Sequence, residues 1–116
     1  MINLDYQSRT PIYEQIINEI EKYVSLGILK PKEQILSIRE MASTLGINPN
    51  TVKKAYSELE NRGVIQTFST KGTFISENVD IVKNNNIGSK IAEIKVIMTE
   101  LEKLGITKDE ILDKLK

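Results

Sequence analysis

With 116 residues, 40% of them hydrophobic and only 5% aromatic, the chain suits one compact domain plus an appendage. It has neither cysteine nor histidine, which excludes a disulfide framework, a thiolate zinc site and most nucleophile–base pairings. Its 16 basic and 16 acidic residues cancel, no apolar run approaches the ~20 residues needed to span a bilayer, and the polar start from Asn3 onward lacks a signal core, so a soluble cytoplasmic protein is expected.

Residues 1–9 read as extended and polar. Thr10 as cap and Pro11 as first helical residue then open a helix. Ile12, Ile16, Ile20 and Val24 recur every four positions, with Tyr13 and Ile17 alongside, giving one broad apolar stripe that ends near Gly27. Such a stripe is core rather than a cofactor box. Ile28 to Ile35 contains Pro31 and several charges and reads as a connector, at most touching a short strand.

Ser37 to Arg62 carries the strongest local signals. Ser37 and Glu40 form an S-x-x-E capping box, flanked by Leu36 and Met41 as a hydrophobic staple. Gly46 tolerates the left-handed backbone of a helix exit, and Ile47 plugs the corner. Asn48 caps a second helix and Pro49 sits in its first turn, where a missing N–H costs nothing. Helix, glycine turn, helix is the layout of a helix-turn-helix, whose second helix lies in the major groove of DNA. Asn48, Asn50 and Thr51 can exchange hydrogen bonds with bases or phosphates, and Lys53 and Lys54 add positive charge. Val52, Ala55 and Leu59 fall on the opposite, apolar side. Two ordinary core helices with a polar outer face would show the same caps. The charge distribution favours the DNA reading: residues 30–72 hold 7 basic and 4 acidic groups, net +3, whereas residues 1–29 are net −2 and residues 73–116 net −1. A local basic face is the footprint that matters for nucleic acid.

Gly63 stops the second helix. Val64 to Phe68 and Thr73 to Ser76 read as two strands around a turn at Ser69 to Gly72, a β-hairpin with Lys71 and Gly72 at its tip. A plain stabilising hairpin fits too. Directly after a recognition helix, however, a hairpin is a wing, with Gly72 allowing close backbone approach and Lys71 supplying a counter-charge to phosphate. Residues 78–86, with three consecutive asparagines, read as a polar hinge. Beyond it Ile87, Ile91, Ile94, Met98 and Leu101 follow 4-3-4-3 spacing, a short coiled-coil seam that Ile97 and Leu104 widen. Gly105 ends that helix. Thr107 with Glu110 forms a second capping box, Ile106 with Ile111 a second staple, and a last helix runs to about Leu115. Two small helices cannot bury such a stripe alone, so it meets either the rest of the chain or, as favoured here, a second copy. The expected organisation is a winged helix-turn-helix over 1–77, a hinge over 78–86 and a helical dimerisation tail over 87–116, mainly α with a small β-hairpin.

Together these stretches resemble the GntR family of bacterial transcription regulators, and within it the small YtrA subfamily. The resemblance rests on T-P-I-Y-E-Q-I (Thr10 to Ile16), S-I-R-E-M-A (Ser37 to Ala42), L-G-I-N-P-N-T-V (Leu45 to Val52), A-Y-S-E-L-E-N-R-G-V-I (Ala55 to Ile65), K-G-T-F-I (Lys71 to Ile75) and L-G-I-T-K-D-E-I (Leu104 to Ile111). It implies a homodimer that binds double-stranded DNA at an inverted-repeat operator, usually as a repressor, with transporter operons as targets by analogy. It also implies that Arg39 grips a phosphate or guanine, that Asn48, Asn50, Thr51 and Lys53 lie on the DNA face, and that Lys71 and Gly72 form the wing tip. The chain departs from the family pattern at three places. Leu36 stands where a proline precedes the serine, Pro31-Lys32 where Pro-Gly is usual, and Ser69, Thr70 and Lys71 where wings often carry arginine.

Two other functions compete with DNA binding. A winged helix can serve protein–protein assembly, which zero net charge would suit. Catalysis would have to use carboxylates such as Glu14, Glu58 or Asp109, each better explained as solvated helix charge. No cofactor or metal is expected. Some 30 residues in two helices cannot enclose a pocket of several hundred Å3, so any small effector, unidentified from the sequence, is expected between subunits.

Overall fold

The computed structural model describes residues 2–116; Met1, the first residue of the expected extended start, lies outside them. Among the described residues the elements are α1 (Ile12–Ser25), β1 (Gln34–Ile35), α2 (Ile38–Leu45), α3 (Pro49–Asn61), β2 (Ile65–Phe68), β3 (Gly72–Ile75), α4 (Val79–Lys103) and α5 (Lys108–Leu115). They form two compact units, the first ending at Val82 and the second running from Lys83 to Lys116.

The apolar stripe of α1 is the floor of the first unit. Ile16, Ile17 and Ile20 are buried there with Met41 and Ala42 of α2 and with Val52, Ala55, Tyr56 and Leu59 of α3. Helix α3 packs on both α1 and α2. Burying one large aliphatic side chain stabilises by about 1.5–3 kcal/mol, so this cluster sets how α3 is rotated about its axis.

The start of α1 differs from expectation. Thr10 is not its cap, and Pro11 is not its first residue. Pro11 occupies the cap position with extended backbone (φ −55°, ψ 149°) and makes no side-chain cap hydrogen bond. The reason is Gln15. Its amide nitrogen donates to the carbonyls of Asp5 at 2.9 Å and Thr10 at 2.8 Å, and its amide oxygen accepts the Asp5 N–H at 2.8 Å. Thr10 is thereby tied into the preceding loop. Ile2 and Leu4 pack against the core, so the opening segment is less polar in its contacts than in its composition.

The sheet has three antiparallel strands in the order β1-β3-β2. The hairpin pairs Ile65 with Ile75 and Phe68 with Gly72. The connector adds Gln34 opposite Phe74 and Ile35 opposite Thr73. Ile65, Thr73 and Ile75 are buried, while Gln34 of β1 and Gln66, Thr67 and Phe68 of β2 stay exposed. Compared with the expected spans, Val64 and Ser76 lie outside the strands and Gly72 opens β3.

The segment expected as a hinge, 78–86, is helical from Val79 onward, as part of α4 running to Lys103, and the division between the two units falls within it, after Val82. Asparagine in a helix interior costs at most about 0.7 kcal/mol relative to alanine. Three of them do not break a helix whose first residue, Val79, is buried in the core of the first unit. In the second unit Ile111 is buried, and Met98, Leu101 and Ile106 are half-buried. Thr107 and Glu110 form the expected capping box.

Lys32 has a left-handed backbone, with φ 70°, and is the one non-glycine residue with positive φ among the described residues. Its N–H donates to the Ile75 carbonyl at 2.9 Å, and this hydrogen bond holds the conformation. A left-handed L-residue costs roughly 1–2 kcal/mol, partly offset on replacement by the ~0.5–1 kcal/mol of extra chain entropy that glycine loses on folding. The Lys32–Glu77 ion pair is exposed on both sides and adds little. Lys32→Gly is therefore expected to stabilise the fold by about 0.5–1 kcal/mol, raising the midpoint of a thermal melt by a few degrees.

Candidate nucleic-acid interface

The two helices at the heart of the first unit are locked end to end by local hydrogen bonds. Ser37 Oγ accepts the Glu40 N–H, and a Glu40 carboxylate oxygen accepts the Ser37 N–H, each at 3.1 Å. The Ser37 backbone donor, and then its side chain, hold the Glu40 carboxyl below the usual carboxylate range. At the other end of α2, Gly46 is left-handed (φ 67°, ψ 37°) and the Ile47 N–H reaches back to the Ala42 carbonyl at 3.0 Å. This is a Schellman-type exit, which glycine makes at low cost. Two residues later Asn48 Oδ1 accepts the Asn50 N–H at 2.8 Å, and Pro49 begins α3.

Tyr56 secures this pair from beneath, a role that sequence reasoning missed. Its hydroxyl donates to the Leu36 carbonyl at 2.7 Å. Only 2% of its surface is exposed, and burial, aided by Glu40, pushes its hydroxyl pKa well above the tyrosine range. The signal was present: a tyrosine at the helical spacing of Val52, Ala55 and Leu59 must find a partner for its O–H once buried.

On the opposite side of α3, Asn50, Lys53 and Lys54 are exposed; Thr51 is half-buried; Asn48 is exposed, with its carbonyl oxygen committed to the cap. Arg39, in the first turn of α2, is exposed as well. Among the described residues no ion pair neutralises Arg39, Lys53, Lys54 or Lys71. Lys54 does not stand with Lys53. Its ammonium lies 3.9 Å from the centroid of the Tyr13 ring, on the flank of α3 that faces α1. Further along that flank Arg62 is paired with Glu21 at 2.9 Å and Glu58 at 3.0 Å.

Lys71 is exposed in the turn between β2 and β3, and its N–H donates to the Phe68 carbonyl at 3.1 Å. Gly72 has φ 114°, and a Cβ there would sit 2.6 Å from Gln34 Nε2. That amide donates to the Lys71 carbonyl at 3.2 Å. Gln34 of β1 thus braces the hairpin tip, and the positive φ is what favours glycine at 72 inside the fold itself. Phe68 and Phe74 meet edge to face at 5.9 Å on the outer side of the hairpin.

Along α4 the seam residues Ile87, Ile91 and Ile94 are 51%, 47% and 51% exposed and Leu104 is 81% exposed, while Met98 and Leu101 are half-buried. No helix among the described residues is long and apolar enough to cross a membrane. The first unit also holds an apolar cleft of about 850 Å3, lined by Ile20, Tyr23, Leu29, Ile35 and Met41 among others. Space for a small molecule therefore exists within a single chain, outside the helical tail.

A capped helix pair with a sealed inner face, an exposed cationic outer face and a braced hairpin defines a winged helix-turn-helix DNA-binding protein. Residues 12–75 match the family described as bacterial regulatory proteins, gntR family. The chain belongs to that family, and it is a DNA-binding transcription regulator rather than an enzyme. It is 45% identical to the HTH-type transcriptional repressor YtrA of Bacillus subtilis strain 168, over 87% of this chain and 75% of that protein. The crystal structure of a transcriptional antiterminator from Listeria monocytogenes EGD-e is similar with a TM-score of 0.71 and 41% identity, covering 99% of this chain and 87% of that one. The DNA-binding domain of AraR, solved in complex with operator ORR3, is similar over 64% of this chain and 89% of that one, with a TM-score of 0.56 and 26% identity.

Tyr56→Phe removes the donor to the Leu36 carbonyl while keeping the ring. It is expected to destabilise the fold by about 1–3 kcal/mol, read as a lowered denaturation midpoint.

Proposed function

We propose that two copies of the chain, joined along the α4 seam, bind an inverted-repeat operator and repress transcription, with α3 in the major groove. The observation that carries this reading is the contrast across α3. Val52, Ala55 and Leu59 have no exposed surface, while Asn50 and Lys53 stand free in solvent on the other side. Asn50, Thr51 and the amide of Asn48 are donors suited to base edges or phosphates near the start of the helix. Lys53 and Lys54 supply charge, and Arg39 grips a phosphate or guanine at the start of α2. Lys71 brings a further cation at the wing tip, with Gly72 keeping the tip compact.

The dimer follows from the tail. The seam leaves several large aliphatic side chains about half-exposed along one helix, and contiguous apolar surface of this kind marks an interaction site. A two-fold dimer presents two α3 helices to half-sites related by the same symmetry, about one helical turn or ~10 bp apart. The relatives' names support the regulatory direction, since the Bacillus subtilis relative is named a repressor.

Binding to an operator selected from random duplexes is expected to weaken steeply with salt, because each neutralised phosphate releases counterions. Arg39→Ala and Lys53→Ala are each expected to lower affinity about tenfold, about 1.4 kcal/mol; unchanged titrations for both would overturn this assignment of the reading face. Ile94→Asp, at the middle of the seam, is expected to turn a sedimenting dimer into a monomer while the far-UV dichroism of the first unit persists.

A further inference from the structure

Nothing in the chain's spacing ties the first turn of α1 to the helix pair, yet Tyr13 lies against the flank of α3. The ammonium of Lys54 stands 3.9 Å above its ring centroid. A cation over an aromatic face is held by the field of the ring, not by an acceptor atom, so its N–H donors remain available. An ion pair in the same place would have cancelled the charge. Arg62 provides the comparison within the molecule. It borders the same cleft, lined by Tyr13, Glu14, Asn18, Lys54, Glu58 and Arg62 among others, and it is neutralised by Glu21 and Glu58. Glu14, the remaining carboxylate there, accepts the Tyr13 hydroxyl at 3.3 Å. Glu58 is taken by Arg62, Glu14 keeps its charge but forms no ion pair among the described residues, and Lys54 meets the Tyr13 ring rather than either carboxylate.

We propose that Tyr13 is a positioning residue for DNA binding, its ring holding the Lys54 ammonium at the edge of α3 toward a backbone phosphate beside α1. The proposal rests on the reading of α3 as the helix that faces DNA. A lysine already held in place loses less side-chain freedom when it meets its phosphate. The interaction surface thereby extends from α3 onto the first turn of α1, and Lys54 serves the phosphate flank while Lys53 serves the groove.

A double-mutant cycle on the full chain tests this, using a labelled duplex that carries an operator selected from random sequence. Tyr13→Leu is expected to weaken binding about threefold, the scale of an exposed cation–π contact. The salt slope is expected to hold, because the charge remains. Lys54→Ala is expected to weaken binding and to lower the slope by about one. Adding Tyr13→Leu to Lys54→Ala should then change nothing more. Tyr13→Phe, which keeps the ring, should restore affinity, and matching melts show that each variant is folded. The proposal is overturned if Tyr13→Leu has no effect in the wild-type background, or weakens binding equally in both backgrounds. If Arg39→Ala and Lys53→Ala still lose affinity, only the role of Tyr13 fails; if they too are silent, the reading of α3 itself fails.

Discussion

Val52, Ala55 and Leu59 give up all contact with water, and the rotation of α3 about its axis follows from that. These residues lie three and four apart on one side of the helix, against α1 and α2. Turning α3 by one position, about 100°, would expose two or three aliphatic side chains at about 1.5–3 kcal/mol each. It would also drive the ammonium of Lys53 toward an apolar interior, where an unpaired charge is far more costly. The outer face is therefore selected by the inner one. The caps hold α3 lengthwise: the left-handed exit at Gly46 and the Asn48 cap leave the corner little freedom, and the Tyr56 hydroxyl ties the far side of α3 to the strand-side end of α2.

A chain with zero net charge can still present a cationic face, because its charges are sorted. Arg62 is neutralised by two glutamates, and Lys22 and Lys32 each face one. The cations without a carboxylate partner include Arg39, Lys53, Lys54 and Lys71, all on or beside the helix pair and the wing. Exposed ion pairs contribute little to stability. Their effect here is to cancel charge at Arg62, Lys22 and Lys32, and not at the four cations named above. Overall charge is a poor guide for such a protein; which cations remain uncancelled decides the electrostatics.

The departures from the family pattern have physical answers. Leu36 replaces a proline, and the carbonyl that accepts the Tyr56 hydroxyl is one that either residue supplies, while the leucine side chain also packs against the core. Lys32 replaces a glycine and adopts the glycine conformation all the same. The strain of one left-handed residue is small beside the sheet hydrogen bonding that the turn enables, so the turn is kept. At the wing tip the glycine is favoured by its backbone: φ 114° is strained for any residue with a Cβ, which would also push the Gln34 amide aside.

Much of this could be read from the chain alone, because the signals are local. A capping box depends on residues three apart, a glycine exit on one backbone conformation, an amphipathic stripe on a period of 3.6. Hence Ser37, Gly46, Asn48, Pro49 and Thr107 stand where expected, as does the buried side of α3. What the chain alone left open depends on partners distant in sequence. Gln15 reaches ten residues back to Asp5 and displaces the start of α1; Gln34 reaches thirty-seven residues forward to Lys71 and braces the wing. The asparagine run around residue 85 reads as a break by composition but is helical, since a weak local preference yields to a helix anchored by the burial of Val79. Lys53 and Lys54 are neighbours in the sequence and equivalent by type. Only the packing of α1 against α3 separates them, because a tyrosine ring becomes a seat for one lysine only when tertiary contacts bring the two helices together.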